Sequence, residues 1–146
     1  MADDVMIIKT SGIPLYTKCF GGKTCKKHPD HILQSGFLAA LFSFSKETFS
    51  KDGIKSVIFN DFKLDFKIDE NNDLIIVLAN PLEEDDEIID DHLEKTHNLF
   101  LEKYHSKTSS SSIDPDLYLD FDKGLIELDI VPHKSKKDLP LEKNSI

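Results

Sequence analysis

Apolar positions along this chain change period several times, and each change marks a different element. Val5 to Ile8 is a short, unbroken apolar run, which suits a central strand buried on both faces. Thr10-Ser11-Gly12 breaks it. Leu15 to Phe20 follows closely enough to form the second arm of an antiparallel hairpin, with Pro14 at its start, where a missing N–H does least harm. Farther on, Ile54 to Asn60 is β-branched and aromatic, Phe62 to Asp69 alternates apolar and charged residues without exception, and Leu74 to Ala79 is apolar throughout, after a turn at Asn71-Asn72-Asp73. The strict alternation predicts a strand with one wet face, and the continuous run predicts the centre of the sheet.

Between these strands the period lengthens to that of a helix. His31 to Ser50 carries Leu33, Phe37, Ala40, Leu41 and Phe44 on one arc and Leu38, Phe42 and Phe49 on another, roughly opposite the small residues Gly36, Ala40 and Ser43. One buried face does not use that much apolar surface. The remainder either packs under the chain's own C-terminal segment or forms an oligomer or partner interface, for which Leu38, Leu41, Phe42 and Phe49 are the candidates. Asp30 is placed to cap the start of this helix, and Gly53 to take the left-handed position at its end. Gly21 to Asp30, with Pro29 and three lysines, is a loop.

A second helix is expected from about Glu83, after Pro81, to His105. Its acidic first turn and its basic last turn both complement the helix dipole, and Ile89, Leu93, Phe100 and Tyr104 form a single stripe with Ile88 and Leu99 beside it. Ser106 to Asp116 reads as a Ser-rich linker, and the runs LYLDFD and LIELDIV around Lys123-Gly124 as a small hairpin or added strands. The polar, Lys-rich residues from about Pro132 to Ile146 are expected to be a disordered tail. The division is thus a domain over 1–107, a linker and extended segment over 108–131, and a tail over 132–146.

Charge narrows the partners. The net charge of −9 argues against nucleic acid, which needs a basic stripe to release counterions. Residues 1–60 carry eight Lys against five acids, whereas 83–107 carry nine acids against three Lys, an asymmetry that favours orienting a protein partner. The start MADDVMIIKT is not a signal peptide, the apolar runs are too short to span a membrane, and two cysteines do not make a disulfide scaffold. A soluble cytoplasmic protein with reduced thiols is the expectation.

The order strand, strand, helix, three strands, helix is an α+β layout: a five-stranded antiparallel sheet with helices packed on it, ββαβββα plus a C-terminal extended segment. In VMIIKTSGIPLYTKCFG, HPDHILQSGFLAALFSFSKETF and IKSVIFNDFKLDFKIDENNDLIIVLANP the chain resembles the longin/roadblock superfamily, over roughly residues 4–105, with the trafficking-complex and archaeal longin domains the nearest in texture. The resemblance implies a non-enzymatic, dimerising interaction module, homo- or heterodimeric, without cofactor. It also implies binding or regulation of a small Ras-like GTPase, or assembly of a membrane-traffic-like complex with membrane association only through partners.

Other constellations have simpler explanations. Cys19, Cys25, His28 and His31 are residue types that zinc accepts, but their spacing fits no familiar finger and a buried thiol beside a solvated loop explains them without metal. Glu83 to Asp86 reads as a dipole-satisfying helix start. Gly22-Lys23-Thr24 lacks the upstream glycine of a phosphate loop. No nucleophile–base pair or carboxylate dyad stands out, so no catalytic residue is assigned. The alternative function is a ligand- or metal-sensing domain of profilin- or PAS-like build that uses the Cys/His loop.

Overall fold

The computed structural model describes residues 1–21, 31–104 and 115–132. The elements run β1 (Asp4–Lys9), β2 (Pro14–Cys19), α1 (His31–Thr48), β3 (Ser56–Ile58), β4 (Lys63–Asp69), a single 3-10 turn (Glu70–Asn72), β5 (Leu74–Asn80), α2 (Asp86–Tyr104) and α3 (Pro115–Glu127). Every strand pairing is antiparallel, and the sheet order is β2-β1-β5-β4-β3. The ββαβββα order is the one expected, with a further helix at its end.

The unbroken apolar runs became β1 and β5, two adjacent inner strands, where side chains on both faces meet protein. All seven residues of β5 are buried, as are Val5 to Ile8 of β1. Alternate residues serve opposite faces. Met6, Ile8, Ile75 and Val77 pack with Leu38 and Phe42 of α1, while Val5, Ile7, Leu74, Ile76 and Leu78 pack with Ile89, Leu93, Phe100 and Tyr104 of α2 and with Phe121 and Leu125 of α3. The sheet is therefore the middle of three layers, and the stripe expected for α2 is the one it buries.

The alternating strand corrects the reading of a wet face. In β4 the charged side is the covered one: Lys63, Asp65 and Asp69 are buried, whereas Leu64, Phe66 and Ile68 are only half-buried. Burying charges requires partners, and each has them. The Lys63 ammonium donates to the Glu84 carbonyl and to Asp86, both at 3.3 Å. Asp65 accepts from the Ser56 hydroxyl at 2.6 Å and the Asn80 amide at 2.9 Å, and Asp69 accepts from the Asn72 amide at 2.8 Å and meets the His97 ring at 2.6 Å. Burial pushes the Asp69 carboxyl up, but the hydrogen bonds from Asn72 and His97 outweigh it and hold the group below its ordinary value. Alternation reports the period of a strand, not which of its sides is wet.

The acidic start of α2 is built into the same scheme. Asp85 caps the helix by accepting from the Glu87 N–H at 2.9 Å, Asp86 pairs with Lys63, and Glu84 pairs with the N-terminal ammonium.

The expected C-terminal hairpin is a helix. LYLDFD and LIELDIV fit a strand period, but Phe121, Asp122, Gly124 and Leu125 share the buried side of α3, and Lys123-Gly124 is not a turn. A Cβ at Gly124 would lie 2.7 Å from Leu99 Cδ2, so this glycine is where α2 and α3 approach each other. The helix ends when Ile130 N–H bonds the Leu125 carbonyl at 3.1 Å and Asp129 N–H the Ile126 carbonyl at 3.0 Å, with Asp129 left-handed at φ 58°. This is the Schellman pattern, and the accompanying apolar contact is supplied by the fully buried Ile130 and Leu125. The Ile130 carbonyl then accepts from Ala2 N–H at 2.8 Å, tying the end of this segment to the start of the chain.

α3 is locked to edge strand β2 by polar groups. The Tyr118 hydroxyl donates to the Thr17 carbonyl and accepts from the Thr17 N–H at 3.3 Å. Buried Asp122 accepts from the Tyr16 hydroxyl and, at 2.7 Å, from the Lys18 ammonium. Tyr16 packs 4.4 Å from the Tyr118 ring and edge-on, 4.6 Å, to Phe121. Burial and the Asp122 carboxylate push the Tyr16 phenol far up, which keeps it a donor.

Two outcomes are expected. A chain ended at Lys107 leaves out Phe121, Leu125, Ile130 and Val131 and opens the core that α2 shares with them; urea unfolding followed by circular dichroism should show loss of the cooperative transition, and an unchanged transition would mean that residues 1–107 suffice. Tyr118→Phe strips the partner from the Thr17 edge groups and should cost about 1–2 kcal/mol in the same assay.

Candidate interaction surface and adjoining groove

Helix α1 turns its narrow side to the sheet. Ser35, Leu38, Ala39, Phe42 and Ser45 are its buried residues; the small ones let the helix approach, and Leu38 and Phe42 reach the sheet between them. Ser45 satisfies its hydroxyl by donating to the Phe42 carbonyl at 2.8 Å. Behind Phe42 lies Gly53, at φ +82°, where a Cβ would stand 2.7 Å from the ring. Gly53 therefore does not end the helix as expected. The helix ends at Thr48, with the Phe49 and Ser50 N–H groups bonded to the Ser45 carbonyl, and Gly53 makes room for the ring in the turn beyond.

This orientation corrects the expected interface. Leu38 and Phe42 are buried in the chain's own core at 4% and 8% exposure and cannot meet a partner; Leu41 is half-buried, and Phe49 stands 82% exposed. The arc of Leu33, Phe37, Ala40 and Phe44 is the outward one. Ile32, Leu33, Phe37 and Phe44 are 76%, 70%, 58% and 58% exposed, and Gly36, Ala40 and Ser43 lie exposed among them. Closeness of approach to the sheet, which the small residues Ser35, Ala39 and Ser45 allow, selected the arc of Leu38 and Phe42 for the core.

Because α1 lies over β1 and β2, the apolar side of β4 stays partly open, and a groove of about 160 Å³ runs between them. Phe37 and Leu38 form one wall, and Phe59 and Phe62, stacked with centroids 4.7 Å apart, form another; Met6, Leu64 and Val77 lie beneath. Asp4 lines the same groove. It follows the phase of Met6 and Ile8 on β1 and sits across from Ala79 and Cys19. Its Oδ1 is buried without a hydrogen-bond partner among the described residues. Burial, reinforced by the neighbouring Asp3 charge and opposed by a backbone hydrogen bond at Val5, pushes this carboxyl up to about 7. The sequence held the signal: Asp4, Met6 and Ile8 are alternate residues of one strand, so an acid belongs to an otherwise apolar face.

Of the Cys/His constellation, the described residues include Cys19 and His31. Cys19, half-buried at the end of β2, is disulfide-bonded, contrary to the expectation of reduced thiols, and the bond takes its sulfur out of any thiolate ligand set. His31 begins α1 with its Nδ1 buried and unpartnered among the described residues. Cys25 and His28, the capping Asp30, most of the Ser-rich linker and the tail from 133 onward lie outside the described residues. Among the described residues no group of His, Cys, Asp or Glu side chains is arranged to hold a metal ion, and no helix is long and apolar enough to cross a membrane. A shallow depression beside His97 and Asp69 is lined by Lys46, Lys51, Lys67 and Glu70, with no hydroxyl or thiol among its lining residues for the imidazole to activate.

No protein-family model matches this chain, and no curated protein matches it in sequence. Solved structures do align with it. A Roadblock/LC7 domain from Streptomyces avermitilis aligns at a TM-score of 0.49 and 9% identity, covering 75% of this chain and 87% of that one. The mammalian SRP receptor aligns at 0.48 and 17%, covering 87% and 94%. A homology model of the full-length AP-3 complex in a stretched open conformation aligns at 0.47 and 11%, covering 90% and 100%. The five-stranded antiparallel sheet with helices packed on it is the α+β layout expected from the sequence.

The Asp4 carboxyl gives a signed pH dependence. Its value is raised in the folded protein, so between roughly pH 4 and 7 the folded state binds the extra proton and stability falls as pH rises. Asp4→Asn, which has no proton to lose, should therefore be more stable than the parent above pH 7, by on the order of 2 kcal/mol, and the difference should vanish below about pH 4. Urea midpoints of both proteins across that range check it.

Proposed function

We propose that this chain is a non-enzymatic protein-interaction module that pairs with a second copy of itself through the outward face of α1. The observation that carries this reading is the exposure of Ile32, Leu33, Phe37, Phe44 and Phe49 on and beside one helix, an apolar patch of the kind that marks association surfaces. Exposed Gly36, Ala40 and Ser43 give a second helix room to lie close. The Thr17 edge of β2 is occupied by Tyr118, so helix pairing is favoured over strand addition on that side.

On this reading the pair is a platform for a small Ras-like GTPase or for a membrane-traffic-like assembly. Support for the GTPase comes from the longin/roadblock resemblance of the sequence; the acidic first turn of α2, Glu83 to Glu87, and the mildly basic first part of the chain would orient such a partner. A cytoplasmic site of action belongs to the same proposal, and the Cys19 disulfide weighs against it. A second reading, ligand sensing, is favoured by the groove that Asp4 lines.

Light scattering on the full chain at several concentrations tests the pairing. A dimer that Phe37→Asp with Phe44→Asp converts to monomer, at unchanged circular dichroism, is expected, because both side chains are already solvent-facing. A monomer at every concentration overturns the proposal. Affinity capture of nucleotide-loaded GTPases on the parent and the double variant then tests the platform.

A further inference from the structure

The groove between α1 and β4 borders the outward face of the helix, because Phe37 is at once a wall of the groove and part of that face. The face is not uniform along its length. Its N-terminal half adjoins a hole, where Leu64 and Val77 lie beneath Phe37 and the stacked rings of Phe59 and Phe62. Its C-terminal half carries a projection. Phe44 stands two turns beyond Phe37 and in phase with it, edge-on to Phe49 at 6.0 Å and more than half exposed. Ala40, small and exposed, lies between Phe37 and Phe44.

We propose that the groove is a socket for Phe44 of a second copy of this chain, filled reciprocally in an antiparallel pair of α1 helices. This rests on the pairing reading above and names the contact that holds the pair together. A two-fold pair needs a face complementary to itself, and a hole at one end with a projection at the other meets that need when the helices run antiparallel. With the axis beside Ala40, Phe44 of each copy falls against Phe37 and the groove of the other. Parallel helices would set Phe44 on Phe44 and leave both grooves empty. Because the hole and the projection share one face, the exchange closes on two copies instead of propagating into a filament. The groove, of about 160 Å³, has room for one aromatic ring, and Phe37, Phe59 and Phe62 offer that ring edge and face contacts. The exposed apolar side chains on and beside α1, with Ile58 and Phe59 beyond the groove, come to roughly 800 Å² per copy, which is what each partner of a standard-sized interface buries.

The test mixes two preparations of the full chain, one with labelled Met, Leu and Val methyl groups and one with labelled Phe rings. Light scattering reads pairing, and nuclear Overhauser contacts between the two labels read the socket. Contacts from the Phe44 ring of one copy to the Leu64 and Val77 methyls of the other are expected, and Phe44→Ala is expected to raise the dissociation constant about tenfold or more. A dimer whose groove stays empty or is filled by another segment, or whose dissociation constant is unmoved by Phe44→Ala, overturns the socket and leaves the pairing standing. A mass that grows beyond two copies overturns the reciprocal exchange, and a monomer at every concentration overturns socket and pairing together. Should Phe44→Ala alter the fold, the contacts in the parent protein decide alone.

Discussion

The burial of β1 and β5 on both faces is the constraint on which the rest depends. Their apolar runs leave no side for water, so each face of the sheet has to be roofed, and the order of the chain makes one helix available early and two late. α1 covers one side, α2 and α3 the other. The roofs differ in extent. Two helices span the far face fully enough to bury even the charged side of β4, whereas the single α1 lies over β1 and β2 and stops short of β4. The charge network beneath α2 and the groove beside α1 are consequences of that asymmetry.

Where a physical signal had only one structural solution, the sequence could be read through to the fold. The run Leu74 to Ala79 has no polar residue to give a solvated face, and the stripe Ile89, Leu93, Phe100 and Tyr104 has no second apolar side. Where a pattern had two solutions, tertiary contacts chose. The alternation of β4 fixed its period but not its direction, because a charged side can face inward when Glu84, Asp86, Asn80 and His97 are waiting to pair with it. LYLDFDKGLIELDIV alternates enough for a strand, but its helix is selected by partners remote in sequence: Leu99 against Gly124, and Tyr16 and Lys18 against Asp122.

The same distinction separates the two parts of the candidate site. That α1 carries more apolar surface than one contact needs was legible, since two arcs of a single helix cannot both face one sheet. Which arc remained outside was not, because it depended on the small residues Ser35, Ala39 and Ser45 admitting the helix to the sheet. The groove depends on separate segments meeting, the start of β1, the first half of α1, the β3–β4 turn, and β4 and β5 beneath, and no local pattern in any of them announces the others.

Asp4 brings these strands of argument together. A carboxyl at the start of a central strand, in phase with Met6 and Ile8, lowers the stability of the folded state at neutral pH, and no cation among the described residues offsets its burial. Elsewhere the molecule avoids this cost: Lys63, Asp65, Asp69 and Asp122 are buried to a similar or greater degree, and every one has a partner of its own. Asp4 differs from them in lying on the face that α1 covers incompletely, beside an apolar groove, where its Oδ1 is buried without a hydrogen-bond partner among the described residues. The orphaned oxygen and the groove thus both lie on the side of the sheet with the narrower roof.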